Sequence, residues 1–148
     1  MADWGELEAQ APEIWAAARR LRDDVPVAFL ATLAPDGSPR IAPFCQILTD
    51  DALYVIAAAR TPKPADLRRD PRCAVHWTLG EGDEELALRG RAIEVLDPDE
   101  RKRVQTAAHF LFDPTDPIFR IAFHHALWVH WENPGTPAMR AIRQRWTG

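Results

Sequence analysis

The order of apolar and polar positions changes period several times along this chain, and each change marks an element. Ile14, Ala17, Ala18 and Leu21 share one stripe at helical spacing, which predicts an amphipathic helix from Pro12 to Arg22 with the proline in its first turn. Val27 to Leu33 is then a compact apolar run. It ends at Ala34-Pro35-Asp36-Gly37, where proline presets φ for a turn and glycine tolerates positive φ. A second strand is expected over Ser38 to Leu48, a turn at Thr49-Asp50-Asp51 and a third strand over Leu53 to Ala59. Three strands on tight turns make an antiparallel meander.

Prolines bracket the helix formers between Thr61 and Pro71, so a short helix is expected there. Strands follow at Cys73 to Leu79 and Glu85 to Val95, joined by a polar loop, Gly80 to Asp83. The second of these strands has a parity conflict, with Leu86 and Leu88 on one face and Ile93 and Val95 on the other. Gly90 lies between them, which predicts a bulge or sharp bend. Asp97-Pro98-Asp99-Glu100 reads as the cap, first-turn proline and acidic third position of another helix, with Val104, Ala107, Ala108 and Leu111 as its buried stripe. Phe119, Ile121, Phe123, Leu127, Val129 and Trp131 alternate at strand period, and the basic tail from Ala138 to Trp146 is open to a helical reading. The fold class expected is mainly β with α (α+β), a six-stranded antiparallel barrel with short flanking helices. It forms one domain over residues 1–148, with an N-terminal helix (1–24), the barrel (25–131) and a C-terminal tail (132–148).

Composition narrows the function classes. A net charge of −4 excludes a general nucleic-acid binder, which would need a basic stripe, while leaving room for a local cationic pocket. No apolar run reaches membrane-spanning length and the acidic N-terminus lacks the apolar core of a signal peptide, so a cytoplasmic location is expected. Cys45 and Cys73 lie far apart without metal-ligand spacing. The five histidines show no zinc motif.

Phe29-Leu-Ala-Thr-Leu-Ala-Pro-Asp-Gly-Ser-Pro-Arg40, then Leu53-Tyr-Val55, Thr61-Pro-Lys63, Asp66-Leu-Arg-Arg-Asp-Pro-Arg72 and Leu88-Arg-Gly-Arg-Ala92 form an ordered series. In that order and spacing the series resembles the pyridoxamine 5′-phosphate oxidase-like, FMN-binding split β-barrel family over roughly residues 25–146. The resemblance implies a split barrel, a homodimer and a flavin cofactor, FMN or the deazaflavin F420, with haem in some members. It implies an oxidoreductase that moves hydride to or from a small organic substrate, or a non-enzymatic flavin or haem carrier.

The residues suit that role. Lys63 stands near a helix N-terminus, where free N–H groups favour an anion; Thr61 adds a hydroxyl, Arg40 approaches from the neighbouring hairpin, and Arg68 lies further along the helix. By resemblance, the family's phosphate-binding Ser-Arg-Lys falls on Thr61, Pro62 and Lys63, with proline in place of the arginine. The ring-contacting backbone falls on Arg40, Ile41, Ala42 and Pro43 and on Ile56 and Ala57. A partner subunit is expected to supply Trp131 and Arg143, and Trp128 is expected at the same interface. Glu85 stands where the oxidases carry glutamine. Met139-Arg-Ala-Ile-Arg143 replaces their Arg-Leu-His-Asp-Arg, which implies a substrate other than a vitamin B6 phosphate.

Overall fold

The computed structural model describes residues 1–148. Its elements are α1 (Trp4–Gln10), α2 (Pro12–Asp24), β1 (Val27–Leu33), β2 (Pro39–Cys45), β3 (Ile47–Leu48), β4 (Leu53–Ile56), α3 (Lys63–Arg69), β5 (Arg72–Trp77), β6 (Glu85–Glu94), α4 (Pro98–Ala107), β7 (Ile118–Glu132) and β8 (Arg140–Thr147). The strands form one antiparallel sheet in the order β2-β1-β5-β6-β7-β4-β3, with β8 paired to β7. The sheet therefore has eight strands where six were expected.

The two extra strands have specific causes. The expected strand from Ser38 to Leu48 is one path that changes partner. Its first part pairs with β1 as far as Cys45, whereas Ile47 and Leu48 pair with Tyr54 and Leu53 of β4. At the break, buried Gln46 donates its backbone N–H to the Pro26 carbonyl at 3.1 Å and its side-chain amide to Val25 at 3.3 Å. A strand that switches partners at a bend joins the two edges of the sheet and curls it into a barrel. The second is the basic tail, which is a strand and not a helix. Arg140 to Glu132 through Thr147 to His125 run in antiparallel register, and β8 takes the edge of β7 that β4 leaves free beyond Ile121. The barrel thus extends through the segment assigned to a tail. Helix α1, which carries no run of apolar residues long enough to announce itself, is started by Asp3, whose side chain accepts from the Glu6 N–H at 3.1 Å.

The bend expected at Gly90 is present, and the parity conflict resolves in an unexpected way. Arg89 faces His125 and Gly90 faces Phe123, so the inserted residue is His124 on β7 and β6 itself stays in phase. Leu86, Leu88, Gly90 and Ala92 all face inward, Ile93 is exposed, and Val95 enters a second small core with Val104. The glycine is required sterically: a Cβ there would sit 2.1 Å from the Ala122 carbonyl oxygen and 2.6 Å from the Phe123 Cα. On β7 strict alternation ends at the bulge: Ile121 and Phe123 are buried before it and Ala126 and Val129 after it, with Leu127 half-buried and Trp131 exposed. Leu111, expected in the buried stripe of α4, lies beyond the end of that helix and is fully exposed.

The main core fills the barrel and continues under α1 and α2. Trp4 stacks on Trp77 with ring centroids 6.4 Å apart and meets Phe123 edge-on at 5.7 Å, while Trp146 from β8 packs on the far side of Phe123. No helix is long and apolar enough to cross a membrane.

Candidate functional site

Along Pro39 to Cys45, β2 pairs only with β1, so its other edge carries unpaired backbone groups. That edge faces the end of β4, because β3 and β4 are joined in register just beyond the Gln46 bend. From Ile56 the chain leaves β4, turns at Ala58 to Thr61 and enters α3, which packs against β1. The result is a split in the barrel wall, with Arg40 to Pro43 on one side, Ile56 and Ala57 on the other and Thr61 to Lys63 at its end. β2 lies alongside β4, and Arg40 reaches α3 through Asp66.

The side chains of these sequence-predicted residues are not equally free. Thr61 donates its hydroxyl to the Ala58 carbonyl at 2.8 Å, closing the turn. Arg68 points to Glu94, with two hydrogen bonds of 2.9 and 2.6 Å, and the pair raises the Arg68 pKa. Pro62 provides neither a side-chain donor nor an N–H. Ala57 is fully buried and donates its N–H to Pro117 at 2.8 Å, and half-buried Ile56 lines a cleft of about 520 Å³ under Phe110 and Phe112. Ile41 and Pro43 are exposed on the outer face of β2, with Arg40 and Ala42 half-buried on the inner one. Lys63 is half-buried at the start of α3; the ion pairs of that helix are made by Asp66, Arg68 and Arg69, and Lys63 has none.

A residue that sequence reasoning passed over organises this end of the barrel. Asp66 on α3 is 1% exposed and accepts from Arg40 Nε at 2.7 Å, Arg69 Nη2 at 2.9 Å and Thr32 Oγ1 at 3.2 Å. Burial alone would raise its pKa; the hydrogen bonds from Arg69, Arg40 and Thr32 outweigh it and hold the carboxyl below its ordinary value. Arg40 does reach α3, as expected, with its Nε committed to Asp66 and its side chain 39% exposed. The signal in the sequence was an acid at the core-facing position of a helix that otherwise ends in arginines.

Trp131 and Arg143 stand elsewhere. Both lie where β7 and β8 pair, on the Glu132 side of the bulge, whereas β4 pairs with the Ile118 end of β7. Within one chain they do not join the split. Trp128 is half-buried, stacks on His130 at 4.3 Å and donates its indole N–H to Glu84 at 2.7 Å. Glu85 sits 3.2 Å from His76 Nε2 on the outer face. Cys73 is buried, and that burial pushes its thiol up to about 12.

A curled antiparallel sheet that closes through a strand changing partners, and parts again beside it, defines the split-barrel class. The chain belongs to the pyridoxamine 5′-phosphate oxidase family, whose model matches residues 14–124. Among solved structures it is similar to a haem-binding protein from Mycobacterium smegmatis (TM-score 0.64, 20% identity, covering 84% of this chain and 55% of that one). It is similar also to a pyridoxamine 5′-phosphate oxidase-related, FMN-binding protein from Nostoc punctiforme PCC 73102 (TM-score 0.59, 14% identity, 90% and 95% covered). A NimC/NimA family protein from Clostridium acetobutylicum gives a TM-score of 0.66 at 13% identity, with 88% and 92% covered. The chain spans about half the length of the mycobacterial protein, and at these identities the likeness is one of fold. No curated protein matches it significantly.

Proposed function

We propose that this chain binds FMN in the split between β2 and β4 and works as an oxidoreductase that moves hydride to or from a small organic substrate. The observation that supports this reading is the unpaired backbone edge of β2 facing Ile56 and Ala57, with an uncommitted cation, Lys63, at the end of the same split. A flavin nucleotide asks for those two things, backbone donors and acceptors at the polar edge of a flat ring and positive charge at a phosphate. Lys63 would hold the phosphate, joined by the guanidinium N–H groups of Arg40 that Asp66 does not use. The backbone of Arg40 to Pro43 and of Ile56 and Ala57 would line the ring. FMN, when bound, supplies the hydride chemistry, and these residues bind and orient it.

The working form in this reading is a homodimer. Ile41 and Trp131 are 69% and 37% exposed, high for large apolar side chains, and a second copy is the means by which Trp131 and Arg143 would reach the split. F420 makes the same two demands on the split. One observation favours a second reading, a non-enzymatic carrier of flavin or haem: Pro62 removes a phosphate donor from the turn, and the similar mycobacterial protein binds haem.

The test is an absorption spectrum of the purified protein, followed by titration with FMN, F420 and haem into wild type and Lys63→Ala. FMN or F420 binding that weakens at least about ten-fold in the variant supports the phosphate role and names the cofactor. A Soret band without flavin binding moves the assignment to the carrier, and no binding of any of the three overturns the reading. Reduction of bound flavin by a nicotinamide or deazaflavin donor, with turnover, separates enzyme from carrier.

A further inference from the structure

On the outer face of the sheet, a groove of about 300 Å³ crosses β1, β5 and β6. Its floor is apolar, made by Ala31, Leu33, Pro39 and Ala74 on the pleated surface of the sheet. Arg72, Arg89 and His124 stand around it, and no carboxylate lines it. Arg72 is held by Asp70 at 2.6 Å, whereas Arg89 is exposed and makes no ion pair. His124 is the residue that the β7 bulge inserts beside Gly90, and the insertion is what carries this exposed imidazole to the groove. The local field is positive: after burial, the charges of Arg89, His124 and Arg145 lower the pKa of neighbouring His125. An apolar floor with an unopposed arginine at its rim is an arrangement for an amphipathic anion, since the floor rewards flat hydrocarbon and the guanidinium takes a carboxylate through two parallel N–H donors.

We propose that this groove binds a flat aromatic carboxylate, its ring on the Ala31–Ala74 floor and its carboxylate on Arg89, with His124 at the side. The two places are reached from opposite faces of the sheet: the Thr32 and Arg40 side chains turn inward to Asp66 of α3, whereas the side chains of Ala31, Ala74 and Arg89 stand on the outer face. The groove therefore does not depend on whether the split holds a flavin.

Isothermal titration with 2-naphthoate and with its uncharged methyl ester tests it on the full-length protein. The acid is expected to bind at least about ten-fold more tightly than the ester. Arg89→Gln should remove most of that difference, Arg89→Lys should restore part of it, and Ala74→Phe, which fills the floor, should abolish binding while circular dichroism and thermal unfolding confirm a folded barrel. Saturation with FMN should leave the naphthoate affinity unchanged. Equal binding of acid and ester, unchanged affinity in Arg89→Gln, displacement of naphthoate by FMN, or no binding at all would each overturn the proposal.

Discussion

The barrel has two ends, marked by the opposite ends of the β1–β5 pair, and they are closed by different chemistry. At the Ala28–Trp77 end, α1 and α2 bring Trp4, Leu7, Ile14 and Leu21 onto Trp77 and Phe123, all buried. At the Thr32 end, α3 closes the structure with one buried carboxylate, Asp66, bridging Thr32, Arg40 and Arg69. The first closure is non-directional and rests on apolar area removed from water. The second is directional, fixes two guanidinium groups in place, and changes with pH. Arg40 and Lys63, two of the candidate residues, lie at the polar end, whereas Trp131 and Arg143 stand in the β7–β8 pair.

Substitutions separate the two ends. Trp4→Ala should have the largest effect, a loss of about 3–5 kcal/mol, because it removes a fully buried ring stacked on Trp77 and set edge-on to Phe123. Urea unfolding would measure it, and a loss below about 1 kcal/mol would mean that α1 is not part of the core.

Asp66→Asn should cost less, about 2 kcal/mol, since two of its three donors are arginines that remain partly solvated. The pH dependence gives a sharper check. The Asp66 pKa is lowered in the folded state, so its contribution is fully present above its unfolded value near 3.8 and is lost as pH falls through the folded value. The stability gap between wild type and Asp66→Asn should therefore be constant at neutral pH and close in the acid range below 3.8; a gap that persists there would assign the loss to packing.

Thr32→Val should cost about 1 kcal/mol, the net value of one buried hydrogen bond. Lys63→Ala should change stability by no more than about 0.5 kcal/mol, having no partner to lose, while weakening flavin binding. A large fall in thermal stability in that variant would show Lys63 to be structural and would break the distinction between the two roles at this end.

Much of the chain was legible before the structure. The Pro35-Asp36-Gly37 turn and its hairpin, the helix from Pro12, the capped helix from Pro98 and the position of the bulge at Gly90 follow from local chemistry acting over a few residues. The ordered series of motifs identified the family. Of the residues expected around a phosphate, Thr61 and Arg68 are engaged within the chain, and Lys63 makes no ion pair.

Other features were decided by tertiary structure. In β8 only Trp146 is buried, so no alternation marks Arg140 to Thr147 as a strand; the free edge of β7 makes it one. The break at Gln46 carries no glycine or proline, because its cause is the competition of two partners, β1 and β4, for one strand. The inserted residue at the bulge is His124 and not Gly90, since the strand that must accommodate the bend is the one facing the glycine. Asp66 looked like any helix acid until Thr32, Arg40 and Arg69 came together around it. Local sequence settled turns, caps and periods, because those depend on neighbours within one turn of chain. Strand partnership and the meeting of charges depend on residues dozens of positions apart, and only the closed barrel brings them together.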